Sequence, residues 1–91
     1  MATGTDATGT DAYAEVLAAP SGNTRYRRIS ASCDTKNAII SLDAGTTDFA
    51  EIIAGEPALV FDMSHAPVTL AIQGKNGTAG QDYANLVINA W

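Results

Sequence analysis

The residues of this chain with the most obvious chemical capacity sit close together at one corner. Asp62-Met63-Ser64-His65 holds the only histidine, with a hydroxyl and a carboxylate beside it. Ser, His and Asp invite comparison with a nucleophilic triad. A triad, however, needs side chains brought from separate elements around an oxyanion site. Three neighbours on one corner do not supply that, so the corner reads as a polar turn between strands and no catalytic residue is assigned. The single cysteine, Cys33, cannot form an intrachain disulfide. It falls in strand phase with Ile29 and Ala31, which makes it a small core residue and not an activated thiol. One cysteine and one histidine far apart in the chain do not make a zinc site. No cofactor is expected.

Residues 2–11 repeat Ala-Thr-Gly-Thr-Asp in tandem, which places Asp6 and Asp11 five residues apart. Calcium repeat loops also use Asp and Gly at short periods, but in longer arrays with additional backbone ligands. Two copies are too few. The repeat has no large apolar side chain, so residues 1–11 are expected to form a polar arm with no structure of its own, followed by a folded body over 12–91. Eleven extended residues reach about 36–40 Å. Thr3, Thr5, Asp6, Thr8, Thr10 and Asp11 are then candidates for hydrogen bonds along a partner's surface.

Arg25-Tyr26-Arg27-Arg28 contains three of the five basic residues, leaving two lysines against ten acids elsewhere. Arg beside Tyr suits a stacked nucleic acid, but the net charge of −5 opposes a phosphate backbone and an anionic membrane. Arg25, Arg27 and Arg28 read instead as a basic patch for an acidic protein surface or as a solvated strand end. Trp91, the only tryptophan, has two readings, a lid on one end of the core or an anchor at an interface.

The elements that position these residues are short and extended. Ile29, Ala31 and Cys33 alternate with Arg28, Ser30 and Ser32. Ala38, Ile40 and Leu42 share a parity, as do Val68, Leu70 and Ile72. Ala84, Leu86, Ile88 and Ala90 alternate with Tyr83, Asn85, Val87, Asn89 and Trp91. This period of two marks half-buried strands. Tyr13–Ala18 fits a strand or a short helix. In the segment 48–53, Phe49 and Ile53 lie on one parity and Ile52 on the other; Leu59 and Phe61 are in phase in the next. Asp43-Ala44-Gly45-Thr46-Thr47 is the sharpest turn signal, and 74–81, with three glycines, reads as a loop. The pattern gives an all-β fold, a small antiparallel β-sandwich of six to seven strands in jelly-roll or immunoglobulin-like order.

Hydrophobic residues make up 46% of the chain and charged residues 16%, so much of the surface must be Ala, Thr, Asn and Ser. A body of this size is marginal alone, which points to a homo-oligomer or a larger assembly. No basic-then-apolar leader and no apolar run of membrane-spanning length are present.

Ile40-Ser41-Leu42-Asp43-Ala44-Gly45-Thr46-Thr47-Asp48, preceded by Asn23-Thr24-Arg25-Tyr26-Arg27 and followed by Tyr83-Ala84-Asn85-Leu86-Val87-Ile88, resembles small β-sandwich virion proteins of tailed bacteriophages. Such proteins often carry an "SLDGGTT"-like hairpin; here Ala44 replaces the first glycine. The likeness covers the layout of residues 22–91 and leaves the repeat outside. It implies a non-enzymatic structural virion protein, most simply a capsid decoration (cement) protein. Such a protein is made in the host cytoplasm without a signal peptide. It binds the major capsid protein or another virion protein as a dimer or trimer. A tail, neck or fibre component shares the same features. A carbohydrate-binding β-sandwich is the reading from another class, with Tyr83, Asn85, Asn89 and Trp91 as its platform.

Overall fold

The computed structural model describes residues 1–91. The chain forms eight strands and no helix: β1 (Ala2–Thr8), β2 (Ala14–Leu17), β3 (Arg28–Asp34), β4 (Ala38–Ser41), β5 (Ala50–Ile52), β6 (Leu59–Asp62), β7 (Ile72–Asn76) and β8 (Ala84–Ala90). They make two four-stranded antiparallel sheets, ordered β1-β8-β3-β6 and β2-β7-β4-β5. Four of the pairings nest: β4 with β5, β3 with β6, β2 with β7, β1 with β8. The chain is thus one long hairpin doubled back at the turn 43–47. It is then stitched crosswise by β3 with β8 and β4 with β7.

The innermost turn is built from its own side chains. Ser41 Oγ accepts the Gly45 amide at 3.0 Å, and Asp43 Oδ1 accepts the Thr47 amide at 2.9 Å. Ala44 and Gly45 both have positive φ, which costs glycine nothing and alanine a little.

The two sheets contribute to one core. Ile29, Ala31 and Cys33 of β3 and Leu86, Ile88 and Ala90 of β8 meet Ala38 and Ile40 of β4, Ile52 of β5 and Ile72 of β7, all buried. Each fully buried Ile or Leu stabilises the fold by about 1.5–3 kcal/mol. Cys33 lies in the core as its parity predicts, 2% exposed. Burial pushes its thiol pKa up. Tyr13–Ala18 resolves as strand β2, not helix.

The repeat is where the structure departs most from the sequence reading. Residues 2–8 are not an unstructured arm; they form the edge strand β1, paired with β8 from Ala2↔Ala90 to Thr8↔Ala84. Apolar content is a poor guide here because an edge strand is held by backbone hydrogen bonds and needs little side-chain burial. The repeat's glycines serve close approach. A Cβ on Gly4 would strike the Val16 carbonyl, and one on Gly9 would strike Asn76 and the Tyr83 ring. After β1 the chain crosses between sheets: the Gly9 amide donates to Tyr83 O at 2.9 Å, and Thr10 O accepts the Asn76 amide at 2.8 Å.

Three smaller differences follow from pairing that local sequence does not encode. There are eight strands instead of six to seven. Gly74, Lys75 and Asn76 belong to β7 and not to a loop, because Gly74 leaves room for Leu86 and Val16 above it. The segment 68–71, which alternates cleanly, is not a strand. Val68 makes an isolated bridge to Tyr26, Ala71 O accepts only the turn amide of Ala44 at 3.2 Å, and Leu70 stays 47% exposed.

Candidate interaction surface

Both acids of the repeat are held by one polar cluster, Asp6 partly buried and Asp11 at its exposed rim. Tyr83 Oη donates to Asp6 Oδ2 at 2.6 Å. Asn76 Nδ2 donates to Asp11 Oδ1 at 2.9 Å and to Asp82 Oδ1 at 2.7 Å, and the Gly80 amide donates to Asp11 at 2.8 Å. These donors hold the Asp11 carboxyl below the ordinary carboxylate range, the Gly80 amide most strongly. Desolvation first, and the Asp6 carboxylate second, push the Tyr83 phenol upward. Asp6 and Asp11 are therefore engaged within the chain. Thr10 caps Ala12 O at 2.7 Å. Thr3 and Thr5 stand exposed on the outer face of the first sheet, and Thr8 is exposed at its rim.

Tyr83 reaches this cluster through a switch of parity. Asn85 takes a positive φ, and the register of β3 with β8 shifts between Ser32 and Asp34. A bulge of this kind turns the next side chain to the other face. Tyr83 is 1% exposed, so it does not share a face with Asn85, Asn89 and Trp91, and the expected four-residue platform does not form.

Arg27, Arg28 and Trp91 do come together. The Arg27 and Arg28 amides donate to Trp91 O at 2.6 and 3.3 Å, and the Trp91 amide donates to Arg28 O at 2.9 Å. Arg25, Arg27 and Arg28 are exposed, and Trp91 is half exposed. At the neighbouring corner, the Ser64 hydroxyl donates to Asp62 Oδ1 at 2.6 Å, and the Ser64 amide does so at 2.9 Å. These bonds, with smaller help from His65 and Arg28, hold the Asp62 carboxyl below its usual range. His65 is exposed. No three His, Cys, Asp or Glu side chains converge as a metal site.

Two larger surfaces were not singled out from the sequence. The first is the outer face of the β1-β8-β3-β6 sheet. Register aligns Thr3, Asn89, Ser30 and Val60 in one row and Thr5, Val87 and Ser32 in the next. None is charged, and Thr3 Oγ1 donates to Asn89 Oδ1 at 2.7 Å within the row. The opposite outer face is different. It carries Glu15, Lys75 and Glu51, and Lys75 pairs with Asp48 at 3.2 Å and lies 4.6 Å from the centre of the Tyr13 ring. Tyr13 also donates to Asp48, which helps keep that carboxylate ionised.

The second surface runs along the unpaired edges β5 and β6. Leu70 and Phe49 line one cleft of about 350 Å³. Phe49 meets Phe61 edge to face at 5.1 Å. Phe61 and Leu59 share one side of β6, and Leu59 and Ile53 line a second cleft of about 340 Å³. Phe49, Ile53, Leu59 and Leu70 are each 41–47% exposed. The sequence held a signal for this strip: Phe49 and Ile53 lie on the parity opposite Ile52, and a strand with apolar residues on both parities must show one of them outside the core.

Comparison with protein-family models, with curated proteins and with solved structures finds no match to this chain.

Proposed function

We propose that this protein is a non-enzymatic structural subunit that works by attachment, and that its setting is a phage virion. In this reading it is a capsid decoration protein, made in the host cytoplasm, that binds the major capsid protein on the head shell and stabilises it. The observation that carries the attachment reading is the uncharged middle of the first sheet's outer face, bounded at one end by Arg28 and Asp62. Seven aligned positions without a charge, in a chain of net charge −5, leave a surface that loses little on desolvation when covered. Thr, Ser and Asn there supply short hydrogen-bonding groups with little side-chain entropy to lose.

The fold supports the setting only by analogy. We read the two sheets as a sandwich in jelly-roll order, because strands of sheet one (1, 3, 6, 8) and sheet two (2, 4, 5, 7) interleave as nested antiparallel pairs. Double-sheet jelly rolls of eight strands recur in viral capsid proteins, but also in lectins and cupins. The virion assignment therefore rests on the resemblance of the Ile40–Asp48 hairpin and its flanks. A carbohydrate site keeps Trp91, Asn85 and Asn89 but loses Tyr83 to the core, which leaves the attachment reading ahead.

The test is co-sedimentation of the purified chain with head shells built from the major capsid protein of the phage that this reading takes as its source. Saturable binding at hundreds of copies per shell is expected, and Thr5→Lys with Ser32→Lys should abolish it while the fold is retained. Binding that ignores both lysines would remove the first sheet's face from the reading. A copy number of a dozen or fewer would shift the position to tail, neck or fibre.

A further inference from the structure

The row that bounds the first sheet's outer face at its Arg28 end is unlike the rows behind it. The amides of Arg27 and Arg28 both donate to Trp91 O, at 2.6 and 3.3 Å, so two residues of one segment stand against one of the other. That is the geometry of a bulge, and it suspends the alternation of side chains. Arg27 and Arg28, which strict alternation would send to opposite faces, accordingly line one cleft of about 320 Å³ with Val60, Asp62 and Ser64. Both arginines are exposed. Neither is in an ion pair, because the chain's one such pair joins Lys75 to Asp48. The one acid of the cleft, Asp62, accepts two hydrogen bonds from Ser64. Two guanidiniums thus share the cleft with one carboxylate that is already engaged, in a chain of net charge −5. Apolar surface flanks them. Val60 is 56% exposed, and Trp91, hydrogen-bonded across from Arg28, is 48% exposed. Trp91 and Met1 line the neighbouring cleft with Pro20 and Tyr26. Val60 also ends the row of Thr3, Asn89 and Ser30, so the arginine cleft is continuous with the uncharged rows.

We propose that this cleft is the anchor of the attachment face, and that it takes a carboxylate side chain of a partner protein while an apolar neighbour of that residue rests on Val60 and Trp91. Charge and composition decide the class of partner. Guanidinium groups match a carboxylate in geometry as well as charge. Trp, Arg and Met are enriched where protein interfaces concentrate their binding energy. One carboxylate borne beside an apolar side chain meets both halves of the site. A nucleic acid meets them poorly. Its phosphates come in a row, and beyond the arginines that row would run over uncharged Thr, Ser and Asn on a molecule of net negative charge. The two parts of the face then divide the work. The uncharged rows lose little on desolvation, and the arginines fix the partner's register. The proposal rests on the attachment reading and names the chemistry that the partner must bring.

Trp91 is the only tryptophan and adjoins the cleft, so its emission reports an occupant. The probe is a Leu-Glu-Leu tripeptide blocked at both ends, titrated into the full chain with residue-resolved NMR in parallel. Saturable binding with a dissociation constant of about 1 mM is expected, with shifts centred on Arg27, Arg28, Val60 and Trp91. The Leu-Gln-Leu peptide should bind about 10-fold more weakly, and Arg27→Gln with Arg28→Gln should weaken the glutamate peptide by a similar factor. Both arginines are exposed, so circular-dichroism melts of that variant should match the unsubstituted chain and separate a lost contact from a lost fold. No saturation, equal affinity for the glutamine peptide, indifference to the arginine substitutions, or shifts centred on other residues would each overturn the proposal. Tighter binding of a decathymidylate than of the peptide would overturn it in favour of nucleic acid. Head shells separate this proposal from the reading it rests on. Shell binding that survives loss of both arginines, but not Thr5→Lys with Ser32→Lys, overturns the anchor alone; a chain that takes the peptide yet ignores shells overturns the attachment reading alone.

Discussion

Tyr83→Phe isolates what the polar cluster does for the repeat. The substitution keeps the buried ring and removes only the hydroxyl that donates to Asp6 at 2.6 Å. A hydrogen bond to a charged acceptor is worth about 1.5–3 kcal/mol net, and the part-exposed setting of Asp6 argues for the low end, about 1.5 kcal/mol. In a domain of this size that lowers the melting temperature by roughly 6–12 °C. The loss falls unevenly. Asp6 is on β1, so local detachment of β1 becomes easier by nearly the same amount. Its amides should then exchange with solvent about 10-fold faster through that opening, while Ile40 and Ile88 follow only the global change. Hydrogen exchange resolved by residue, on the native chain and the variant, reads both effects. If amides of residues 3–8 exchange at unprotected rates already in the native chain, the repeat is not a strand. If they are protected but Tyr83→Phe leaves both their exchange and the melting temperature unchanged, the hydroxyl does not hold it.

Further outcomes follow from the same geometry. Gly74→Ala forces a Cβ against Leu86 and crowds the Tyr83 hydroxyl, and should cost about 1–3 kcal/mol in a urea melt; Gly80→Ala, at positive φ but with open space around it, should cost less, about 1 kcal/mol. Asp11, Asp43, Asp48 and Asp62 are all held below their ordinary pKa of 3.8 in the folded chain. The unfolded chain therefore takes up protons first on acidification. Stability from these groups is complete above that pKa and is lost as pH falls through the lower folded values, so urea midpoints should hold from pH 7 to 5 and drop below pH 4. Asp11→Asn should remove part of that drop. Cys33, buried and with its pKa raised, should resist a thiol reagent in buffer and react at once in denaturant. Ile40→Ala should cost about 2–5 kcal/mol by opening a cavity where both sheets meet.

The local sequence determined a good deal. Alternation placed Ile29, Ala31 and Cys33, and then Leu86, Ile88 and Ala90, on the core side. Asp43–Thr47 announced the turn on which the nested hairpin closes. These features depend only on side-chain parity and on the φ preferences of a few residues, and both are properties of short segments. The class of fold followed from them.

Pairing is different, because a strand's partner lies up to 88 residues away, as Ala2 and Ala90 show. Nothing within Ala-Thr-Gly-Thr-Asp says that β8 has an open edge with room for a strand of small side chains. Nor does it say that Tyr83 and Asn76 wait for two carboxylates spaced five residues apart. The same holds for the surfaces. Thr3, Asn89, Ser30 and Val60 form a row only after three registers are set, and the strip from Leu70 to Ile53 is continuous only once β5 and β6 become adjacent edges. Side-chain type and parity are carried by the chain locally; adjacency is created by long-range hydrogen bonding and burial, and the tertiary structure alone decided it.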